Sequence, residues 1–259
     1  MPSPAAIKPR IKSMLKLDFY RLFHTPVLYI MLAISAIIPA MLLTMTGVET
    51  QAGPGVSTPQ PATPGVEYTN TWQLIESVGG TAANPLDFGG YANINMVFIF
   101  AGLLMAIFVA HDYSSGFVKN IFTTHSIKAD YVISKTAVGV FSGAGMIASY
   151  TLGAVVAGII TAKSFEVGVG GLLLCLISKI LLMGVFCALF LSVAVFFRSK
   201  LWVTIVATFL VGMMLYPAAS VATLNSSLAT ALIALLAGAI GAALLGAVST
   251  VILNKRDLA

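Results

Sequence analysis

The sequence predicts an all-α membrane protein: six transmembrane helices behind an N-terminal interfacial helix, with both termini cytoplasmic. Three observations predict it. Hydrophobic residues make up 58% of the chain and charged residues only 9%, where soluble domains carry roughly a quarter charged. Six continuous apolar runs, Val27–Thr46, Asn93–Ala110, Thr136–Ala162, Val169–Phe197, Leu201–Val221 and Leu228–Leu253, approach or exceed the roughly 20 residues that cross a hydrocarbon core as a helix. The basic residues then fall on one side of such a bundle. Lys8, Arg10, Lys12, Lys16, Arg21, Lys119, Lys128, Lys135, Arg198, Lys200, Lys255 and Arg256 share that side, and Lys163 alone lies on the other. The positive-inside rule makes the basic side cytoplasmic.

The net charge of +5 is thus a topology signal and gives no reason to invoke a nucleic-acid partner. Barrel strands are excluded because they alternate polar and apolar over about 10 residues. Helices remain, since in lipid the backbone must satisfy its own hydrogen bonds. The spans leave no room for a large soluble domain, so residues 1–259 read as a single transmembrane domain in the plasma membrane.

Residues 9–24, PRIKSMLKLDFYRLFH, place Ile11, Met14, Leu15, Phe19 and Leu22 on one broad face, interrupted by Asp18. This is the pattern of an interfacial helix; the alternative is a basic lead-in without fixed structure. Pro26 disfavours helix at Thr25, so a bend is expected before the first span. That span is too long, and its lead-in too extended, for a cleavable signal peptide. The outer loop, 47–92, opens with the Pro/Gly/Ser/Thr-rich stretch Gly53–Gly65. A short helix is expected within Tyr68–Val78, then turns at Asn84-Pro85 and Gly89-Gly90. The loop either recognises a substrate or is a tolerated insertion.

Small residues recur at four-residue spacing in the third span (Gly139, Gly143) and the sixth (Gly238, Ala242, Gly246). Such stripes let helices approach closely, either within one chain or across a dimer seam. In the fourth span, Cys175 and Cys187 are about 18 Å apart along the axis, too far for a disulfide. Lys179 is the one ionisable residue well inside a run. It is expected to snorkel at the outer boundary, with a place on a substrate path as the weaker reading. Pro39 and Pro217 are expected to kink the first and fifth spans.

Several chemistries are missing from the sequence. There is no GxxxxGK[ST] phosphate loop and no HExxH. His24, His111 and His125 all lie outside the apolar runs, which argues against an intramembrane zinc or serine protease and gives no metal site. Apart from Lys179 no span carries the ionisable groups of a proton-coupled carrier, so the energy source is expected to be a partner.

The remaining polar connection, His111–Lys135, contains Asp112-Tyr-Ser-Ser-Gly116-Phe-Val-Lys119 and then Tyr131-Val-Ile-Ser-Lys135. With the basic interfacial helix and the tail NKRDL (Asn254–Leu258), this order resembles the type-2 ABC transporter permease family. DYSSGFVKNI is similar to the subset found in bacterial bacteriocin, lantibiotic and peptide-antibiotic export or immunity systems. The resemblance implies a non-enzymatic permease subunit of an ABC exporter that binds no cofactor itself. ATP and Mg would be held by separate ABC ATPase subunits, and a second permease subunit, identical or related, would complete the path. The cargo would be amphipathic or apolar. Segment 111–135 would be the cytoplasmic coupling loop. In it Asp112 would bond the neighbouring loop or the ATPase, and Gly116 would form a tight turn. Phe117, Ile121 and Phe122 would supply apolar contacts, and Lys119 and Lys128 a polar rim. Against this stands a reading of the charged residues as merely solvated. The alternative function is a non-transporting immunity or sensor protein that binds a toxin through the outer loop.

Overall fold

In the computed structural model, the described residues are 4–45, 70–75, 93–123, 127–197, 200–219 and 221–255. Most of the expected outer loop 47–92, with both of its turn dipeptides, lies outside them, as do His125, Arg198 and residues 256–259. The described chain runs α1 (Pro4–Phe23), α2 (Pro26–Met45), a 3-10 turn (Thr71–Leu74), α3 (Met96–Ser114), α4 (Phe117–Thr123), α5 (Lys128–Ile160), α6 (Val169–Phe197), α7 (Leu201–Ala219) and α8 (Leu228–Lys255). Among the described residues there is no β-strand, only an isolated parallel bridge between Asn70 and Ser164.

The chain forms an all-helical bundle. Five helices are long and apolar enough to cross a membrane, with spans at Pro26–Leu43, Met96–Ser114, Lys128–Ile160, Val169–Phe197 and Leu228–Lys255. The expected fifth span corresponds to α7, whose apolar stretch Leu201–Leu215 is shorter. It runs beside α3 and α6 and stops at Ala219, whose carbonyl accepts a hydrogen bond from a buried lysine.

Helices α3, α5 and α6 form the packed centre. Helix α2 lies along α5, α7 against α3 and α6, and α8 against α6 and, more lightly, α5. Phe98, Phe186 and Phe190 fill the α3–α6 contact, with ring centroids 4.6 and 6.1 Å apart in succession. Large apolar side chains point outward: Ile160 is 76% exposed, Trp202 78% and Met214 82%. An aqueous surface would not favour so much contiguous apolar area, whereas lipid tails accept it.

The small residues of the third and sixth spans face helices of the same chain. A side chain at Gly139 would meet Met105 and Cys187, one at Gly143 would meet Met183, and one at Gly238 would meet the Leu181 carbonyl. Gly153 sits directly against the backbone carbonyl of Ala36, and Ser149 Oγ donates to the Leu32 carbonyl over 2.9 Å. Only a glycine lets α2 and α5 approach this closely.

Helix α1 ends at Phe23 and α2 begins at Pro26, as the proline requires. Thr25 Oγ1 donates to the Arg21 carbonyl (2.8 Å), using one of the acceptors left open at the end of α1. Helix α5 differs from expectation. It starts at Lys128 rather than near Thr136, because Asp130, Tyr131, Ser134 and Lys135 are buried by neighbouring helices. Hydropathy does not register such a polar but packed extension. The short helix expected within Tyr68–Val78 is the 3-10 turn. Asn70 caps it by accepting from Trp72 N–H, and the Gln73 side chain accepts from Asn70 N–H.

Candidate functional site

The site lies at the end of the bundle that gathers α1, the end of α3, α4 and the start of α5. Arg21, Lys119, Lys128, Lys135, Lys200 and Lys255 share this end, while Lys163 sits at the other.

Helix α3 closes at Ser114, and Ser115 N–H donates to the His111 carbonyl (3.0 Å). Gly116 then adopts φ +71°. This left-handed conformation is strained for residues with a side chain, so the expected tight turn is present. The Gly116 carbonyl accepts from Asn120 N–H (3.1 Å) and opens α4. Along this seven-residue helix, Val118 is buried and Phe117, Ile121 and Phe122 are half-buried against the bundle. Phe122 meets Tyr131 edge-on, centroids 5.8 Å apart. Lys119, Asn120 and Thr123 point outward and are exposed. The loop helix therefore has an anchored apolar face and an exposed polar face, as helical spacing dictates.

What anchors it is a buried charge cluster. Asp112 in the last turn of α3 pairs with Arg21 of α1 (Oδ1–Nη2, 2.5 Å) and with Lys135 of α5 (Oδ2–Nζ, 2.6 Å). Lys135 Nζ also reaches Asp18 Oδ1 of α1 (2.7 Å). Ser134 Oγ donates to Asp18 Oδ2 (2.6 Å), and Tyr131 OH donates to Asp112 Oδ2 (3.1 Å). Two acids and two bases cancel. Aromatic faces line the cations: Lys135 Nζ is 4.0 Å from the Phe108 centroid, and the Arg21 guanidinium is 4.0 Å from that of Phe117. Such desolvated cation–π contacts contribute about 2 kcal/mol each. Through Phe117, the loop helix is fastened to the same cluster.

Asp112 is therefore turned inward and ion-paired with Arg21 and Lys135 of its own chain. Lys128 is also not on the outward rim: half-buried, it donates from Nζ to the Leu253 carbonyl of α8 (2.7 Å). Of the expected coupling residues, Lys119 alone is exposed, while Phe117, Ile121 and Phe122 serve as apolar anchors. The residues that sequence reasoning missed are Asp18, Arg21, Tyr131, Ser134 and Lys135, acting as one network. Two hints stand in the sequence: Asp18, which breaks the apolar face of α1 without an evident reason, and Tyr131-Val-Ile-Ser-Lys135, which the family-like order sets apart.

Lys179 corrects another expectation. It does not snorkel: its side chain is completely buried. Nζ donates to Asn95 Oδ1 at the start of α3 (2.8 Å) and to the Ala219 carbonyl at the end of α7 (3.2 Å). Helix α3 begins and α7 ends at the depth of Lys179, whereas α6 runs further outward, so the ammonium meets a helix C-terminus where cations are favoured. One turn earlier, Cys175 Sγ lies 3.5 Å from the Ala222 carbonyl. Cys175 and Cys187 are both buried free thiols.

Neither cluster carries an obvious reactive centre. Asp18 and Asp112 are ion-paired with Arg21 and Lys135, and no group of three or more His, Cys, Asp or Glu converges among the described residues. The geometry is suited to transmitting position. Comparison with protein-family models, with curated proteins and with solved structures finds no match.

Proposed function

We propose that this chain is the six-span permease subunit of an ATP-driven ABC exporter in a bacterial plasma membrane, with both termini cytoplasmic. It moves an amphipathic or apolar substrate, such as a peptide antibiotic, out of the cell. Two such subunits, identical or related, enclose the path, and separate ATPase subunits bind at the basic end. The biological role is antibiotic resistance or bacteriocin immunity.

The observation that carries this reading is α4: a short helix with its apolar face locked onto the ends of α3 and α5 and its polar face exposed. A partner that pushes on Lys119, Asn120 and Thr123 displaces α4, and the Phe117–Arg21 and Phe122–Tyr131 contacts pass that displacement to α1 and α5. This is rigid-body transmission. The basic residues gathered at this end support its cytoplasmic orientation. The near absence of charge elsewhere in the apolar helices supports an apolar cargo, and the order of Asp112, Gly116 and Lys119 supports the family.

Co-purification from native membranes tests the reading. An ATP-hydrolysing subunit is expected to accompany the wild-type chain, and a Lys119→Glu/Asn120→Glu variant is expected to lose it while remaining folded. If residues 117–123 can be scrambled with full protection retained, the permease reading fails and the toxin-binding immunity protein replaces it.

A further inference from the structure

We propose that residues 221–227, between α7 and α8, form a hinged strap over the end of α6 opposite the charge cluster, and that Lys179 is its latch. Gly171, Cys175 and Lys179 follow one another at four-residue spacing, so they share one face of α6 over about 12 Å of rise. A backbone carbonyl from the end of α7 or from the strap meets each of them. Lys179 Nζ donates to Ala219 (3.2 Å) and Cys175 Sγ to Ala222 (3.5 Å), and a side chain at Gly171 would strike the Leu224 carbonyl. The chain therefore leaves α7 and runs antiparallel along α6, with one contact per turn.

These three contacts differ in strength. An ammonium donating to a carbonyl makes a charge-assisted bond, a thiol is a weak donor, and Gly171 supplies only room. The strap also closes its own turn: Thr223 N–H donates to Ser226 Oγ (3.0 Å), and Ser226 N–H to the Thr223 carbonyl (3.0 Å). A turn that holds its own shape can lift as a unit once the ammonium lets go. Ser178 Oγ, next to Lys179, is buried without a hydrogen-bond partner, so the closed state carries a cost that access to water removes. The same ammonium donates to Asn95 Oδ1 (2.8 Å) at the start of α3, and α3 reaches the charge cluster through Asp112, about 26 Å further along. A shift of α3 along its axis therefore pulls on the latch, and release exposes Cys175 and Lys179 to water.

The test uses the full-length chain in lipid nanodiscs, without any ATPase, so its outcome is independent of the transport reading. A charged methanethiosulfonate reagent, which does not enter lipid, is added, and modification of Cys175 and of Cys187 is followed by peptide mass spectrometry. Both thiols are buried and should react slowly in the wild type. Lys179→Met is expected to speed modification of Cys175 roughly tenfold, the shift in an opening equilibrium when a charged hydrogen bond is lost. Cys187, about three turns further along α6, should stay protected. Asn95→Leu should act in the same direction, since it cuts the tie to α3. Gly171→Ala leaves every donor in place and favours the helix, so faster reaction of Cys175 in that variant reports unseating of the Leu224 carbonyl. An unchanged Cys175 rate in either Lys179→Met or Gly171→Ala would overturn the proposal. So would equal acceleration of Cys187, which marks a general loosening of the bundle, and so would an Asn95→Leu variant that reacts as slowly as the wild type.

Discussion

Asp112 Oδ2 and Lys135 Nζ lie 2.6 Å apart with both side chains fully buried, joining the last turn of α3 to a point two turns into α5. These residues flank the loop helix on either side. With Arg21 and Asp18 they fix the helix ends that α4 spans, and they draw α1 into the same rigid unit: the helix is tied to the bundle by two acids and two bases.

Removing one member of the cluster leaves a buried charge without compensation. Lys135→Met is expected to destabilise the protein by about 3–5 kcal/mol, seen as a lower unfolding temperature in detergent. Adding Asp18→Asn should recover much of that loss. Asp112 then retains Arg21, and no unpaired carboxylate is left beside the apolar side chain at position 135. Additive losses in the double variant would show that the two residues do not interact.

Gly116 isolates backbone strain from packing. No atom lies within 4 Å of where its side chain would begin, so any cost of substitution comes from φ +71° alone. Gly116→Ala should cost about 1 kcal/mol, and Gly116→Asn less, since asparagine visits the left-handed region more readily. Thermal denaturation of the two variants checks the order. If alanine proves better tolerated than asparagine, the turn has been assigned wrongly.

Burial separates the lysines into two reactive classes. Brief acetylation of the folded protein, read by peptide mass spectrometry, should modify Lys119 and Lys255 and spare Lys135 and Lys179. Lys179→Met should also lower stability by about 1–3 kcal/mol, because the Ala219 carbonyl and Asn95 Oδ1 lose a shared donor. Rapid modification of Lys179 in the folded chain would restore the snorkelling geometry.

Much of this architecture is legible in the sequence, for reasons that differ by element. Helices α2, α6 and α8 are continuous apolar runs, and Pro26 and Gly116 impose their conformations locally, so periodicity and residue type suffice. The charge cluster is not legible. Asp18 and Lys135 are far apart in the chain, and each looks like an ordinary polar residue beside a membrane. Only the fold brings them within 2.7 Å. The start of α5 is hidden for the same reason: hydropathy scores Asp130 and Lys135 as loop, whereas tertiary partners make them helix. Lys179 misleads because a long apolar run can in principle slide until its charge reaches water. Instead α3 and α7 terminate at its depth and supply oxygen acceptors to it.

Site-specific crosslinking from the outward face of α4 tests the central claim most directly. The two native thiols are buried, so a single exposed cysteine at Lys119→Cys can carry a benzophenone probe in native membranes, with Lys163→Cys at the opposite end as the control. Photolysis should join an ATP-binding polypeptide to position 119 and not to position 163. A chain that yields no such product from position 119, or the same product from both ends, would contradict the assignment of α4 as the surface on which an ATPase acts.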